Sequence, residues 1–301
     1  MEDASKDPAG ADVAESWRSF TGRERFSLTL GSIVCGLLTM AASRVLQLPA
    51  EPHFAGALLQ QHPALLAIAF AWVAIIGSSL LGAVFTARLH YDAGLFCAGI
   101  SAAVLSIRFG TMRYVLFESS GRGTFLALAI ELVLIWAAVV IAWYLLCRLS
   151  KGGWLMAEVL LDPTEPDLTT DQKILATLSQ AMLMVLLLLL MGRSDSKVQM
   201  LASVGVSAYI AAIGAHYLVA TRPSIWFWSA PVLVGLFGYV MQYFNPATWM
   251  IGDVYGFFAA LARPTPLDYM STGIVGTLLG YWTAQRWHSE SIAAGDDARA
   301  M

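Results

Sequence analysis

The sequence predicts an all-α membrane protein, a polytopic bundle of about eight transmembrane helices. Two observations carry this prediction. Of the 301 residues, 57% are hydrophobic and 13% are charged, against roughly 45–50% and about 25% in soluble globular proteins. The apolar residues also lie in long unbroken runs, several of which exceed the ~18 residues typical of a membrane-spanning helix. Such a chain is expected to cross a cell membrane of the cytoplasmic or inner type several times.

The first predicted bundle, residues 27–147, follows a polar cytoplasmic segment, residues 1–26. Its four apolar runs predict spans at Ser27–Leu48, Pro63–Ala87, Ala93–Met112 and Thr124–Cys147. Pro63 can open a span because the N–H that proline lacks has no helical partner in the first turn. A secretory signal is the alternative for the first run, but the long leader and the spans behind it favour a retained helix.

The second predicted bundle, residues 173–286, follows an interfacial and acidic cytoplasmic loop, residues 148–172. Thr169 and Gln172 form a capping-box pattern, which predicts a helix start. The apolar runs predict spans from there to Gly192 and at Val198–Ala220, Pro223–Phe244 and Tyr269–Trp282. Residues 248–261 are aromatic but too short to cross ~30 Å of hydrocarbon, so they are predicted to be interfacial or re-entrant.

The distribution of basic residues predicts that both termini lie in the cytoplasm, including a polar C-terminal tail, residues 287–301. With eight spans, eleven Lys and Arg residues fall on the side of the termini and five on the other. The cytoplasmic side is the one that carries the excess of basic residues. In a nine-span alternative, residues 248–261 cross the membrane and the C-terminus lies outside.

Charged residues within the apolar runs define a candidate polar site: Arg44, Arg108 and Glu131. A charge in hydrocarbon costs at least a few kcal/mol, so such residues pair, face a cavity or mark a pathway. Arg108 and Glu131 are expected to meet, because neighbouring antiparallel spans bring them to similar depths. Arg113 and Arg122, in a polar turn predicted at residues 113–123, complete this outward-facing site. The alternative is that the arginines reach the outer headgroups and Glu131 only satisfies one of them.

Gln180 and His216 are weaker candidates. Gln180 suits a helix–helix hydrogen bond as well as a substrate contact, and His216 suits an interfacial hydrogen bond or a proton relay. His216 also follows small residues spaced every four positions, which predict a close packing face: Ser203, Ser207, Ala211 and Ala215. Gly276 and Gly280 predict a second face of this kind.

No motif predicts a catalytic centre, a metal site or a cofactor. The sequence contains no HExxH, no GxSG and no glycine-rich loop ending in Gly-Lys-Ser/Thr. Cys35, Cys97 and Cys147 lie in apolar runs without CxxC spacing, so they predict neither a disulfide framework nor metal ligation. A net charge of -3, spread over many loops, does not predict a nucleic-acid partner.

These observations favour a non-enzymatic protein, either a membrane-embedded subunit or scaffold or a small permease-like protein. Expected partners are the bilayer lipids, together with other membrane subunits or further copies of the chain docking on the small-residue faces. The candidate polar groups gather in one leaflet, with Gln180 alone near the middle, which favours the subunit. The alternative is a membrane enzyme that acts on a lipid or anionic substrate through Arg44, Arg108 and Glu131.

Overall fold

The structure is a computed structural model that describes residues 22–46, 56–86, 92–119, 121–151, 169–219, 225–245 and 259–300. Side chains are described up to residue 287, apart from that of Lys151. Every regular element within these ranges is a helix, and none of their residues lies in a strand. The predicted all-α class is therefore confirmed for this part of the chain.

The described residues of the first half form five α-helices: α1 (Gly22–Ala42), α2 (Ala64–Phe85), α3 (Asp92–Ile107), α4 (Met112–Glu118) and α5 (Arg122–Lys151). Between α1 and α2 the structure describes two 3₁₀ turns, Ser43–Val45 and Leu58–Gln60. The described residues of the second half form six more α-helices: α6 (Thr170–Met191), α7 (Lys197–Leu218), α8 (Ile225–Trp228), α9 (Ala230–Phe244), α10 (Ala259–Ala262) and α11 (Pro266–Ala300).

Six segments in the described part of the chain are long and apolar enough to cross a membrane. They are α1 with its 3₁₀ turn, α2, α5, α6, α7, and α8 with α9. Helices α3 and α4 pass the same test together, but they are bent by 53° at the break between them, and counting them as one span gives seven. The eighth predicted span lies within α11, which does not reach the same apolar composition. The chain thus has the helices of a multi-pass membrane protein.

The structure corrects the polar turn predicted at residues 113–123, because α4 occupies its first half. The helix forms because Met112, Val115 and Leu116 recur at helical spacing and are buried in the bundle. Of the predicted interfacial segment, residues 248–258 lie outside the described residues. The remainder belongs to α10, which is buried against α9 and α6.

The capping box predicted at the start of α6 is confirmed. The backbone N–H of Thr169 donates to Gln172 Oε1 at 3.0 Å, and the N–H of Gln172 donates to Thr169 Oγ1 at 3.4 Å. These two bonds satisfy backbone donors that a helix N-terminus otherwise leaves without partners. At the other end of the chain, α11 continues as a helix through most of the predicted polar tail, to Ala300.

Helix α7 lies between α6 and α11, and its small residues face both neighbours. All four residues of the predicted stripe are buried, and Ser203 Oγ donates to the carbonyl of Met191 in α6 at 3.2 Å. On the other face of α7, the Gly205 carbonyl oxygen lies 2.1 Å from where a Cβ on Gly276 would stand. The Tyr209 carbonyl oxygen lies 2.3 Å from the same position on Gly280. The predicted GxxxG face is therefore the contact between α11 and α7.

Replacing Gly276 with alanine is expected to lower the free energy of unfolding by about 1–2 kcal/mol, because the new methyl group would force two helix backbones apart. Unfolding in mixed micelles, followed by circular dichroism, measures the change. Gly77→Ala is the matched control, since a Cβ on Gly77 meets no atom within 4 Å. Equal stability of the two variants would contradict the close approach of α7 and α11.

Candidate functional site

Glu131 is buried in α5, with 1% of its surface exposed. Its Oε2 atom accepts a hydrogen bond from the backbone N–H of Leu59 at 3.0 Å. Leu59 belongs to the 3₁₀ turn Leu58–Gln60, and the first N–H groups of so short a helix have no partner within it. The carboxylate of Glu131 therefore binds the backbone of the chain segment that precedes α2.

This segment, residues 56–60, is inserted among the helix ends and is called here the inserted segment. Ala57 and Leu58 are buried in the core cluster of the bundle. Gln60 Nε2 donates to the Val115 carbonyl at 3.0 Å and to Ser119 Oγ at 2.7 Å. Contacts with both α4 and α5 thus hold the inserted segment at this end of the bundle.

Arg108 does not pair with Glu131 in the structure. No hydrogen bond or ion pair joins these two described residues. The physical reason is the packing order: α5 packs mainly against α2 and α9 rather than α3. The chain also leaves the α3 helix after Ile107 and bends into α4, so Arg108 lies at a break and not on a helix beside α5. Its side chain is half-buried, and its Nε atom makes no hydrogen bond within the described residues.

The other predicted arginines lie on the surface of the bundle. Arg44, Arg113 and Arg122 are all exposed, and no described contact joins any of them to Glu131. In a membrane, exposed arginines at helix ends reach the headgroup region with little cost. The structure therefore does not gather the five predicted residues into one pocket.

The two weaker candidates lie inside the bundle. Gln180 is fully buried, and its Nε2 atom donates to Thr277 Oγ1 of α11 at 3.3 Å. Its Oε1 atom has no hydrogen-bond partner among the described residues. His216 is half-buried and packs edge-on against the Tyr281 ring, with centroids 5.5 Å apart. Both side chains thus contact α11 rather than each other.

Among the described residues, the most highly connected polar cluster surrounds Lys197 and Asp268, and the sequence did not predict it. The ammonium of Lys197 lies 2.9 Å from Asp268 Oδ1, and the two side chains are 13% and 2% exposed. Lys197 Nζ also donates to the Gly110 carbonyl at 3.1 Å and to Thr265 Oγ1 at 3.2 Å. A lysine ammonium has three N–H donors, so each has a partner here.

Both carboxylate oxygens of Asp268 also have hydrogen-bond partners. Its Oδ1 accepts from Ser106 Oγ as well as from Lys197. Its Oδ2 accepts from the N–H of Thr265 at 2.8 Å and from the hydroxyl of Thr265 at 2.9 Å. A carboxylate offers about four lone-pair sites, and all are occupied. The cluster links α3, the bend before α4, the start of α7 and the start of α11, so it acts as a polar clasp between elements distant in sequence.

Further contacts reinforce this end of the bundle. Tyr239 donates to the Pro264 carbonyl and Tyr269 to the Leu261 carbonyl, both at 2.6 Å. Arg263 donates to the Gly192 carbonyl at 3.3 Å and lies 3.5 Å from Asp195. These bonds hold the chain between α10 and α11 against α9 and the end of α6.

Sequence signals for the clasp exist but are weak. Thr265 and Asp268 have the spacing of a capping box, and Asp268 does accept from the Thr265 N–H. Lys197 follows a polar loop and opens an apolar run, which makes it resemble an ordinary interfacial lysine. The pairing joins residues 71 positions apart, so no local pattern reveals it.

Four cavities in the described part of the chain differ in size and in lining. The cavity at the clasp measures about 10 Å³, room for about one water molecule. A second small cavity beside the 3₁₀ turns measures about 110 Å³. Two open grooves of about 660 and 490 Å³ are lined almost wholly by apolar side chains. Neither Arg108 nor Glu131 lines any of these four cavities.

The fold thus places the chain among multi-pass helical membrane proteins, with a polar clasp at one end of the bundle. In the residues that the structure describes, no group of three or more His, Cys, Asp or Glu side chains is placed to hold a metal ion. No protein-family model matches the chain, and no curated protein or solved structure is significantly similar to it.

Proposed function

We propose that the protein is a non-enzymatic, membrane-embedded scaffold or subunit with eight spans and both termini in the cytoplasm. The observation that carries the proposal is the contrast between its polar and apolar surfaces. The clasp residues satisfy one another, the cavity beside them measures about 10 Å³, and the two large grooves described above are apolar. A substrate site needs a cavity of roughly 300 Å³ or more with a few convergent polar groups.

The topology in this proposal follows from charge and from the packing of α11. Eleven basic residues against five favour cytoplasmic termini. Helix α11 packs along α7 and α3 although its composition is less apolar. An eighth span at this position is reasonable because neighbouring helices shield its polar residues, and Asp268 and Thr277 are both buried.

A permease is the second candidate, and one observation favours it. Gln180 lies fully buried inside the bundle with an amide oxygen that lacks a partner among the described residues. Buried polar atoms without partners are rare, and one on the wall of a transport path would gain a partner when the path fills with water or substrate. The membrane enzyme is disfavoured because no described contact brings Arg44 or Arg108 to Glu131.

Cysteine labelling separates the scaffold from the permease. The three native cysteines are replaced by alanine, and Thr277→Cys is treated with a maleimide that does not cross membranes, in intact cells for the outer side and in inverted vesicles for the inner side. A scaffold predicts no labelling of Thr277→Cys from either side, whereas a transport path predicts labelling. Ser196→Cys is the control, because Ser196 is exposed at the clasp end of the bundle, and the proposed topology requires that it be labelled from outside.

A further inference from the structure

The larger apolar groove runs along α1 and has a single charged residue at one end. It measures about 660 Å³ and is open on one side, between α1, α3 and α11. Apolar residues form most of its wall, among them Ile33, Leu37, Met40, Phe96, Ile100 and Leu279. Of the described residues that line it, Arg25 alone is charged.

The dimensions of the groove suit a hydrocarbon chain better than a helix. Arg25 and Met40 both line it, and 15 residues of helix span roughly 22 Å. The volume divided by this length gives a mean cross-section of about 30 Å². A helix of about 10 Å diameter has a cross-section of roughly 80 Å², more than twice that of the groove, so a partner helix would enter it only in part.

The charged residue at the end of the groove indicates which headgroup a lipid bound there would have. Arg25 lies in the first turn of α1, where that helix enters the bilayer, and Trp282 lines the same groove. Tryptophan is enriched at the headgroup level, and an arginine there attracts the phosphate of an anionic lipid. Trp282 is fixed by packing against Phe96, with ring centroids 5.5 Å apart, so this end of the groove has a defined shape.

We infer that this groove binds an anionic phospholipid, with an acyl chain along α1 and the phosphate at Arg25. The lipid would belong to the leaflet that contains the N-terminal end of α1. Because the site lies on the outside of the bundle and shares no lining residue with the clasp, it is independent of whether the protein is a scaffold or a permease.

Lipid retention tests this inference. The protein is reconstituted in vesicles of equal parts phosphatidylglycerol and phosphatidylethanolamine and extracted in mild detergent, and the retained lipids are counted by mass spectrometry. Phosphatidylglycerol is expected to be enriched. Arg25→Gln should lower its retention roughly five-fold, as expected for the loss of one interfacial cation. Ile33→Trp should lower it as well by filling the groove.

Two variants on the same helix serve as matched controls. Arg23 is an exposed arginine outside the groove lining, so Arg23→Gln should retain the lipid. Leu38 is as exposed as Ile33, at 53%, and also lies outside the lining, so Leu38→Trp should retain it too. Equal retention of the two lipids by the natural sequence would overturn the inference, as would unchanged retention in both groove variants. A complex with the mass of two chains that is lost in Ile33→Trp would also overturn the inference, because it would show that a second copy of the chain binds in the groove.

Discussion

Replacing Lys197 with methionine is expected to lower the free energy of unfolding by about 3–5 kcal/mol. The change leaves the carboxylate of Asp268 without its cation, although that side chain is only 2% exposed. Asp268→Asn should cost a similar amount, because it strands the ammonium of Lys197. The double variant should recover more than half of either loss, since a neutral side chain at each position removes the unpaired charge. Denaturation of the four proteins in mixed micelles measures these differences.

The ion pair between Arg263 and Asp195 is the matched control at the same end of the bundle. Its Asp195 side chain is 45% exposed, and the two groups are 3.5 Å apart. Pairs of this kind contribute about 0–1 kcal/mol, so Asp195→Asn should be nearly neutral. Additive losses in the Lys197 and Asp268 variants would show that the two residues do not act as a pair.

Local patterns in the sequence predicted a helix end well where residues of the terminal turn determine that end. The second span was predicted at Pro63–Ala87, and α2 covers Ala64–Phe85. The start of α6 was predicted from the Thr169 capping box, which the structure contains. Both features depend on residues within one turn of the helix end, so no knowledge of the packing is needed.

Contacts between helices could not be predicted in the same way. Arg108 and Glu131 were expected to meet because their spans are consecutive, yet α5 packs mainly against α2 and α9. The Lys197–Asp268 pair was missed because its two residues lie at the starts of α7 and α11, with three other helices between them in sequence. Hydropathy gives the depth of a residue in the membrane but not the neighbour that it faces, and the neighbour decides whether a buried charge is paired.

The second large effect on stability is expected from a change at Glu131. Its carboxylate accepts the N–H of Leu59 and so holds the inserted segment against α5. Glu131→Leu removes the acceptor and leaves the partly buried N–H of Leu59 without this partner, which should cost about 1–3 kcal/mol. Glu131→Gln is the matched control, because its amide oxygen can still accept the bond. Hydrogen exchange at the Leu59 amide should accelerate strongly in the leucine variant and change little in the glutamine variant.

The same residue tests the pairing that the sequence suggested. If Glu131 serves the inserted segment and Arg108 acts separately at the break after α3, the losses from Glu131→Leu and Arg108→Leu should add to within about 0.5 kcal/mol. A buried pair would behave differently, because removing both charges together recovers much of the loss of either single change. Suppose that the double variant recovers stability and that exchange at Leu59 stays normal in Glu131→Leu. This result would show that Glu131 pairs with Arg108. Additivity with rapid exchange at Leu59 would assign the buried carboxylate to the backbone of the inserted segment.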